Sequence, residues 1–312
     1  MTNRNFKIFA APLQGYTESL WRCAHSRYAG GVDAYFTPFL RVEKGQLRNR
    51  DLREISPEKN IGIQIIPQAI FSDTHELKLI VDAIRAAGYT RVDLNLGCPF
   101  PPQWKHGRGA GLIRRTDAMT SVVDFIKENA DLSFSVKMRL GVEYPDEYRA
   151  LMTLLNDTPL EFITVHPRVA RQQYSGDLFM DEFTDICDKS ALPIIFNGDL
   201  KTIEDIDLVC ERFPGIAGVM IGRGLLARPS LAAQWRSRQT MTQEQLTKLI
   251  MKIHNEIFAG YSASLCGDSQ ILSKIKPYWD YAQDVIDRKV WKAIHKANTL
   301  SRYEEAISQL HV

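Results

Sequence analysis

Five cysteines in 312 residues (Cys23, Cys98, Cys187, Cys210 and Cys266) are odd in number and widely scattered. That excludes a disulfide framework, and with no C-x-x-C spacing there is no sign of a zinc site. The chain has no run of about 18 or more apolar residues and no charged, apolar, small-residue leader pattern. We therefore expect a cytoplasmic protein with no membrane segment and no metal, and take a monomer as the default. A net charge of +2 is too small to imply a globally basic nucleic-acid binder, so any basic surface must be local. No G-x-G-x-x-G follows the first strand pattern, which weakens a doubly wound dinucleotide fold. No internal repeat beyond strand–helix alternation is visible, and no low-complexity tract.

What is present is a regular alternation. Short β-branched runs recur at Ile8–Leu13, Val32–Phe39, Ile61–Ile66, Val92–Leu96, Phe134–Leu140, Phe162–His166, Ile194–Asn197 and Gly218–Ile221. Helical periodicity fills most gaps. His75–Ala87 puts Leu77, Ile80, Val81 and Ile84 on one face, and Thr116–Asn129 does so with Met119, Val122, Val123 and Ile126. Thr202–Glu211 opens with a T-x-x-D cap. The link between the second and third strands carries the weakest helical pattern. Eight strands alternating with helices over about 235 residues predict an α/β protein, a (β/α)8 TIM barrel, with the doubly wound sheet as alternative. After Trp235 the strands stop. Thr242 caps a new amphipathic helix, and residues 236–312 hold 11 Lys and Arg against 8 Asp and Glu. We expect residues 1–235 to be the barrel and 236–312 a mildly basic, all-α C-terminal domain.

In such a barrel the active site lies at the C-terminal ends of the strands. Pro12, Leu13 and Gln14 end the first strand. Gln64 lies on the third, Asn95 and Cys98 on or after the fourth, Lys137 and Arg139 on the fifth, and His166 and Arg168 on or after the sixth. Asn197, Gly198 and Asp199 end the seventh, and Gly222, Arg223 and Gly224 follow the eighth. The glycines of "FNGD" and "IGRG" stand where this fold recurrently binds phosphate. Two such turns at that place favour anion binding over simple chain reversal. Alternation in "SVKMRL" sends Lys137 and Arg139 inward. An inward lysine is a Schiff-base nucleophile, a cation opposite an anionic cofactor, or one half of an ion pair. Cys98 either keeps its proton, a free thiol having a pKa of about 8.5, and serves as a general acid, or is a thiolate activated by basic neighbours. The segment 101–115 carries Lys105, Arg108, Arg114, Arg115 and His106 with no acid. It is a candidate contact for a nucleic-acid phosphate backbone, with Trp104 available for stacking, although most basic loops are only solvated surface.

"APLQGYTESLWR", "DLNLGCP", "SVKMRLG", "VHPR", "NGD" and "IGRG" resemble, in order and spacing, the tRNA-dihydrouridine synthases. "ILSKIKPYWDY" is similar to that family's lysine-containing helical segment. The resemblance implies FMN at the barrel mouth, reduced by NADPH, with hydride passing from flavin N5 to uracil C6 and a proton from Cys98 to C5. It implies that Lys137 faces the flavin pyrimidine, that His166 and Gln64 hold the ring, and that Asn197, Gly198, Gly222 and Arg223 hold the phosphate. Pro12, Leu13, Gln14 and Asp199 join that cofactor set. Asn95 orients the uracil, Arg139 lies near the pocket, and Lys105, Arg108, Lys274 and Lys276 grip the tRNA. The chain departs from the common pattern at Leu13, Pro67, Phe100 and Pro167 and in a longer loop after Cys98. Other readings are a small-molecule FMN oxidoreductase resembling dihydroorotate dehydrogenase, a Schiff-base aldolase using Lys137, and a non-catalytic RNA-binding protein.

Overall fold

The computed structural model describes residues 5–310. Residues 1–4 and 311–312, the outer ends of the two expected regions, lie outside the described residues. The strands are β1 (Lys7–Ala10), β2 (Ala34–Phe36), β3 (Leu40–Glu43), β4 (Gln46–Leu47), β5 (Ile65–Ile66), β6 (Gln68–Ile70), β7 (Arg91–Leu96), β8 (Ser133–Gly141), β9 (Leu160–Val169), β10 (Ile194–Asn197) and β11 (Gly218–Ile221). They form one sheet in the order β4-β3-β6-β7-β8-β9-β10-β11-β1-β2-β5. Every pairing is parallel except the β3–β4 hairpin.

Eight staves emerge because two of them are broken. β2 and β3 make the second, and β5 and β6 the third. Thr37 bridges the breaks: its N–H donates to the Ile66 carbonyl (3.1 Å) and its Oγ1 accepts from the Gln68 N–H (3.2 Å). The ring is thus a closed (β/α)8 barrel.

The expected third strand, Ile61–Ile66, is wrong by several residues. Ile61 is exposed and Gly62 turns the chain at φ +75°. The expected strand stops short of Pro67, yet the stave runs through it. Proline has no N–H to donate, but its carbonyl still accepts from Asp93 N–H (2.9 Å), and the ladder resumes on a different partner.

Period-two alternation sorts the side chains. Val92, Leu94, Val136, Met138, Ile163, Val165, Val219 and Ile221 face outward into the main core beneath the helices. The barrel interior holds a separate small apolar plug of Phe9, Ala11, Ala34, Phe36, Ile66, Phe162, Ile195 and Met220. Phe9 stacks on Phe162 and meets Phe36 edge-on. On the same inward faces β6 to β10 carry polar residues: Gln68, Asp93, Asn95, Ser135, Lys137, Thr164, His166 and Asn197.

The expected helices occur at Thr74–Ala86, Thr116–Glu128 and Ile203–Arg212. Asp73 caps the first through the Glu76 N–H, and Thr202 and Asp205 form a capping box on the third. The weak second connection has no long helix, only the β3–β4 hairpin, a short helix Asn49–Glu54 and a 3-10 turn Pro57–Lys59. Beyond β11 every regular element is helical among the described residues: the short Arg223–Ala227, then Leu231–Ser237, Gln243–Ser264, Asp268–Ile275, the 3-10 turn Lys276–Trp279, Arg288–Lys296 and Leu300–Ser308. Gln243–Ser264 packs on the first barrel helix, Ser19–Tyr28, where Gly260 lets Leu20 approach. Tyr16 donates to Asp280 (2.9 Å) and Lys274 to Glu18 (2.6 Å) across the same seam.

Closure between the last and first staves leaves no room at one position. A Cβ on Gly218 would lie 2.2 Å from the Lys7 carbonyl oxygen. Gly218→Ala should therefore lower unfolding free energy by about 1–3 kcal/mol, read from the urea midpoint. An unshifted midpoint would refute tight closure there.

Candidate active site

The staves open at their C-terminal ends into a cavity of about 450 Å³. Ala11, Pro12, Leu13 and Gln14 come from the first stave, Asn95, Gly97 and Cys98 from β7 and its turn, Lys137 and Arg139 from β8, and His166 from β9. Asn197, Gly198 and Asp199 come from the seventh stave, and Gly222, Arg223 and Gly224 from the eighth. Thus ten of the eleven expected cofactor residues line one space, together with Cys98, Asn95 and Arg139.

The exception is Gln64. It is exposed at the N-terminal entry of β5, and Gln68 lines the cavity in its place. The cause is the misplaced third strand: continuing through Pro67 moves the C-terminal end four residues on. Alternation counted back from Pro67 alone could not reveal this. Sequence reasoning also passed over Tyr174 and Lys201, on loops, and Tyr281, which reaches the mouth from the helical region.

The cavity is cationic. Lys137, Arg139, Lys201 and Arg223 line it with one acid, Asp199. Asp199 accepts from Arg168 (2.5 Å) and Arg223 (2.7 Å), so it orders two guanidinium groups. Their proximity holds its carboxyl below the usual carboxylate range, although burial opposes them. Tyr174 lies between Arg223 and Arg139, whose guanidinium carbons are 4.5 and 5.5 Å from its ring centre. Arg139 is itself anchored on the carbonyls of Val169 (3.0 Å) and Gln173 (2.6 Å).

Lys137 is the distinctive cation. Among the described residues it has neither a hydrogen-bond partner nor an ion pair, which removes the ion-pair reading raised above. Burial, then repulsion from Arg139, lowers its pKa to about 8, with Asp93 pulling the other way. His166 is neutral, its pKa driven far below the ordinary value by burial and then by Arg139 and Lys137. Arg168 Nη1 stands 3.3 Å from His166 Nε2. A guanidinium only donates, so Nε2 accepts and the ring proton belongs on Nδ1.

Cys98 is half-buried beneath a loop that folds back on it. A Cβ on Gly109 would lie 2.7 Å from Cys98 Cβ, and Gly109 has φ +55°. Only glycine fits comfortably there. Burial pushes the thiol pKa up, and the opposing pull of Arg139 and Lys137 is smaller. Of the two states open to Cys98, the protonated one prevails at neutral pH.

Several expected RNA contacts are already engaged. Arg108 is paired with Glu76 and donates to the Val42 carbonyl (3.2 Å). Arg114 pairs with Glu147 (2.6 Å), and Arg115 donates to the Ser72 carbonyl (3.2 Å). The loop contains no acid, but acids from other elements fold onto it. Trp104 is half-buried against the core and does not stand free for stacking. Lys105 alone among these cations has no hydrogen bond or ion pair among the described residues, and it stands exposed 5.8 Å above the Trp104 ring. Lys274 is committed to Glu18, and Lys276 donates to the Ala297 carbonyl (3.0 Å). Phe100, by contrast, is exposed at the cavity rim.

The residues present suit a phosphate-bearing ring system such as FMN. A partnerless lysine, a neutral imidazole, cations in excess and glycine corners at β10 and β11 share one cavity. Among the described residues no cluster of three or more His, Cys, Asp or Glu could hold a metal ion. No helix among them is long and apolar enough to cross a membrane.

Solved structures similar to this chain include morphinone reductase in complex with tetrahydroNAD (TM-score 0.54, 10% identity, 76% of this chain and 88% of that one). The old yellow enzyme from Trypanosoma cruzi is also similar (TM-score 0.54, 12% identity, 76% and 89%). At such identities the likeness concerns the (β/α)8-barrel fold alone. The family model for dihydrouridine synthase matches residues 9–310. The chain belongs to the dihydrouridine synthase family. Curated relatives include tRNA-dihydrouridine(16) synthase of Pseudomonas putida (26% identical over 270 residues, 82% of this chain and 83% of the relative). A probable tRNA-dihydrouridine synthase of Helicobacter pylori is 28% identical over 238 residues, covering 75% and 71%.

The protonation of Cys98 has a direct readout. Alkylation by iodoacetamide, mapped by peptide mass spectrometry across pH, should show its midpoint above that of a free thiol measured alongside. A midpoint below it would mean an activated thiolate.

Proposed function

We propose that this protein is an FMN-dependent, NADPH-reduced tRNA-dihydrouridine synthase. The observation that carries the reading is that a protonated thiol and an unpaired lysine share one cationic cavity with the glycine corners of β10 and β11. Bound FMN would supply a hydride from N5 to C6 of a uracil. Lys137, His166 and Gln68 would hold the ring, with Pro12, Leu13 and Gln14 against it. Asn197, Gly198, Gly222 and Arg223 would hold the phosphate, with Asp199 setting the direction of Arg223.

Cys98 keeps its proton on Sγ until a base arrives and then delivers it to C5. Lys137 stabilises negative charge as it develops, and a pKa already near 8 means that an anionic partner readily restores its full charge. A uracil stacked in an RNA helix cannot reach the mouth, so the base must leave its stack. The exposed rings of Phe100 and Tyr174 at the rim offer surfaces on which displaced bases can stack. The reaction takes place in the cytoplasm, where tRNA is processed.

We assign residues 236–312 to tRNA binding, through a different surface from the one the sequence suggested. On the helix Arg288–Lys296 the side chains of Arg288, Lys289, Lys292 and Lys296 are exposed and have no ion pair among the described residues. Arg288, Lys292 and Lys296 recur every four residues, a single stripe. A small-molecule flavin oxidoreductase has no use for such a stripe.

Cys98→Ala should keep a yellow, FMN-bound protein while dihydrouridine formation on tRNA falls about 100-fold or more. Full activity in that variant would remove the proton-donor role. Mapping dihydrouridine in RNA from cells with and without the gene tests the reading as a whole. If no position changes, it fails. Lys292→Glu with Lys296→Glu should weaken tRNA binding and reduce the slope of log K against log salt by about 2, with flavin affinity retained. An unaltered slope would place the RNA elsewhere.

A further inference from the structure

Asp93 lies two residues before Asn95 on the inward face of β7, fully buried and outside the cavity lining. Its carboxylate accepts from Gln68 Nε2 (2.6 Å) and from Ser135 Oγ (2.7 Å). Gln68 Oε1 in turn accepts from Asn95 Nδ2 (2.7 Å). Asn95 Oδ1 accepts from the backbone N–H groups of Gly97 (3.1 Å) and Cys98 (2.9 Å). An unbroken chain of hydrogen bonds thus runs from a buried acid to the amide of the cysteine that faces the cavity.

We propose that Asp93 is a positioning residue for Cys98: through Gln68 and Asn95 it holds the Gly97–Cys98 turn and so the place of the thiol in the cavity. The chain has only one consistent direction. Each amide side chain could in principle be reversed. Reversal would put Gln68 Oε1 against the Asp93 carboxylate and the Asn95 NH2 group against two backbone N–H groups. The second contact is repulsive whatever the protonation of Asp93, so the two backbone N–H groups fix Asn95, Asn95 fixes Gln68, and the Gln68 NH2 group is left to donate to the acid. Asn95 therefore spends its carbonyl on the turn, and only its remaining N–H is free to meet a ligand. Misplacing a reacting group by about 1 Å can cost about 100-fold in rate, so a device that fixes the turn matters even though it touches no substrate.

The proposal rests on the dihydrouridine synthase reading only for what the thiol does; the geometry of the chain stands without it. The test uses the FMN-loaded protein and two readouts: peptide-mapped iodoacetamide alkylation of Cys98, and single-turnover dihydrouridine formation with KM for tRNA measured alongside. Asp93→Leu removes the anchor. It should speed Cys98 alkylation about fivefold or more as the turn loosens, and slow turnover about tenfold or more with KM within about twofold. Asp93→Asn can still accept from Gln68 and can donate to Ser135 Oγ, so it should restore both readouts to within about threefold of the parent. Parent-like behaviour of Asp93→Leu, or equal damage in Asp93→Asn, overturns the proposal. Should Asp93→Leu fail to fold, Gln68→Met interrupts the same chain, and an unchanged alkylation rate there overturns it equally. If the parent protein makes no dihydrouridine, the functional reading fails while the alkylation arms still decide this one.

Discussion

The pairing of β7 with β8 runs six residues in register, from Arg91 opposite Ser133 to Leu96 opposite Met138. A parallel ladder of that length leaves no freedom of register, because a one-residue slip would send Val92, Leu94, Val136 and Met138 into the barrel and their polar neighbours into the core. Held in register, the two strands present Asp93 beside Ser135 and Asn95 beside Lys137 on the inward face. Cys98 then follows at the first turn beyond. The acid, the lysine and the thiol are therefore placed by the apolar residues that alternate with them. The hydrophobic outer face specifies the chemistry of the inner one.

Burial then decides what state those groups adopt. Desolvation is the larger effect on both Cys98 and Asp93, although a hydrogen bond from the Phe100 backbone and then the cations of the mouth pull Cys98 toward thiolate, and hydrogen bonds from Gln68 and Ser135 pull Asp93 toward carboxylate. The same desolvation lowers Lys137 and His166. The result is a cationic site in which a protonated thiol, a neutral imidazole and a lysine with a pKa of about 8 stand among Arg139, Lys201 and Arg223, with a buried acid behind them whose pKa is raised to about 7. Such a site is poised to accept an anionic ligand, since an incoming negative charge shifts Lys137 back toward full protonation. A surface lysine, already fully charged, has no such reserve.

Most of this was legible in the sequence where alternation was clean. "VDLNLGCP" and "SVKMRL" give both faces of β7 and β8 residue by residue, and the glycine turns of "FNGD" and "IGRG" stand where the cavity uses them. The third stave was not legible. It combines an exposed Ile61, a turn at Gly62 and a proline that interrupts without terminating, so the pattern pointed to Gln64 where the cavity uses Gln68. Nor could the sequence show which cations were free. Arg108, Arg114 and Lys274 are neutralised by Glu76, Glu147 and Glu18, which lie 32, 33 and 256 residues away along the chain. A count of local charge sees only neighbours in sequence, and ion pairing depends on neighbours in space.

That difference bears on how the protein could hold RNA. The basic segment after Cys98 uses its arginines to fasten itself to the Thr74–Ala86 helix and to the loop after β8. This braces the cover over the thiol. Were those arginines spent on phosphates, the cover would move whenever RNA bound, and the proton donor would move with it. On the proposed reading, the free cations of the helix Arg288–Lys296 separate the two tasks. Salt-sensitive attraction would then act on the helical region, while internal ion pairs and the Asp93–Gln68–Asn95 chain would keep the thiol in place. The seam of Tyr16, Asp280 and Tyr281 joins the two regions at the cavity mouth. On that reading, a base delivered by RNA on the helical side would meet an active site whose geometry does not depend on how the RNA is gripped.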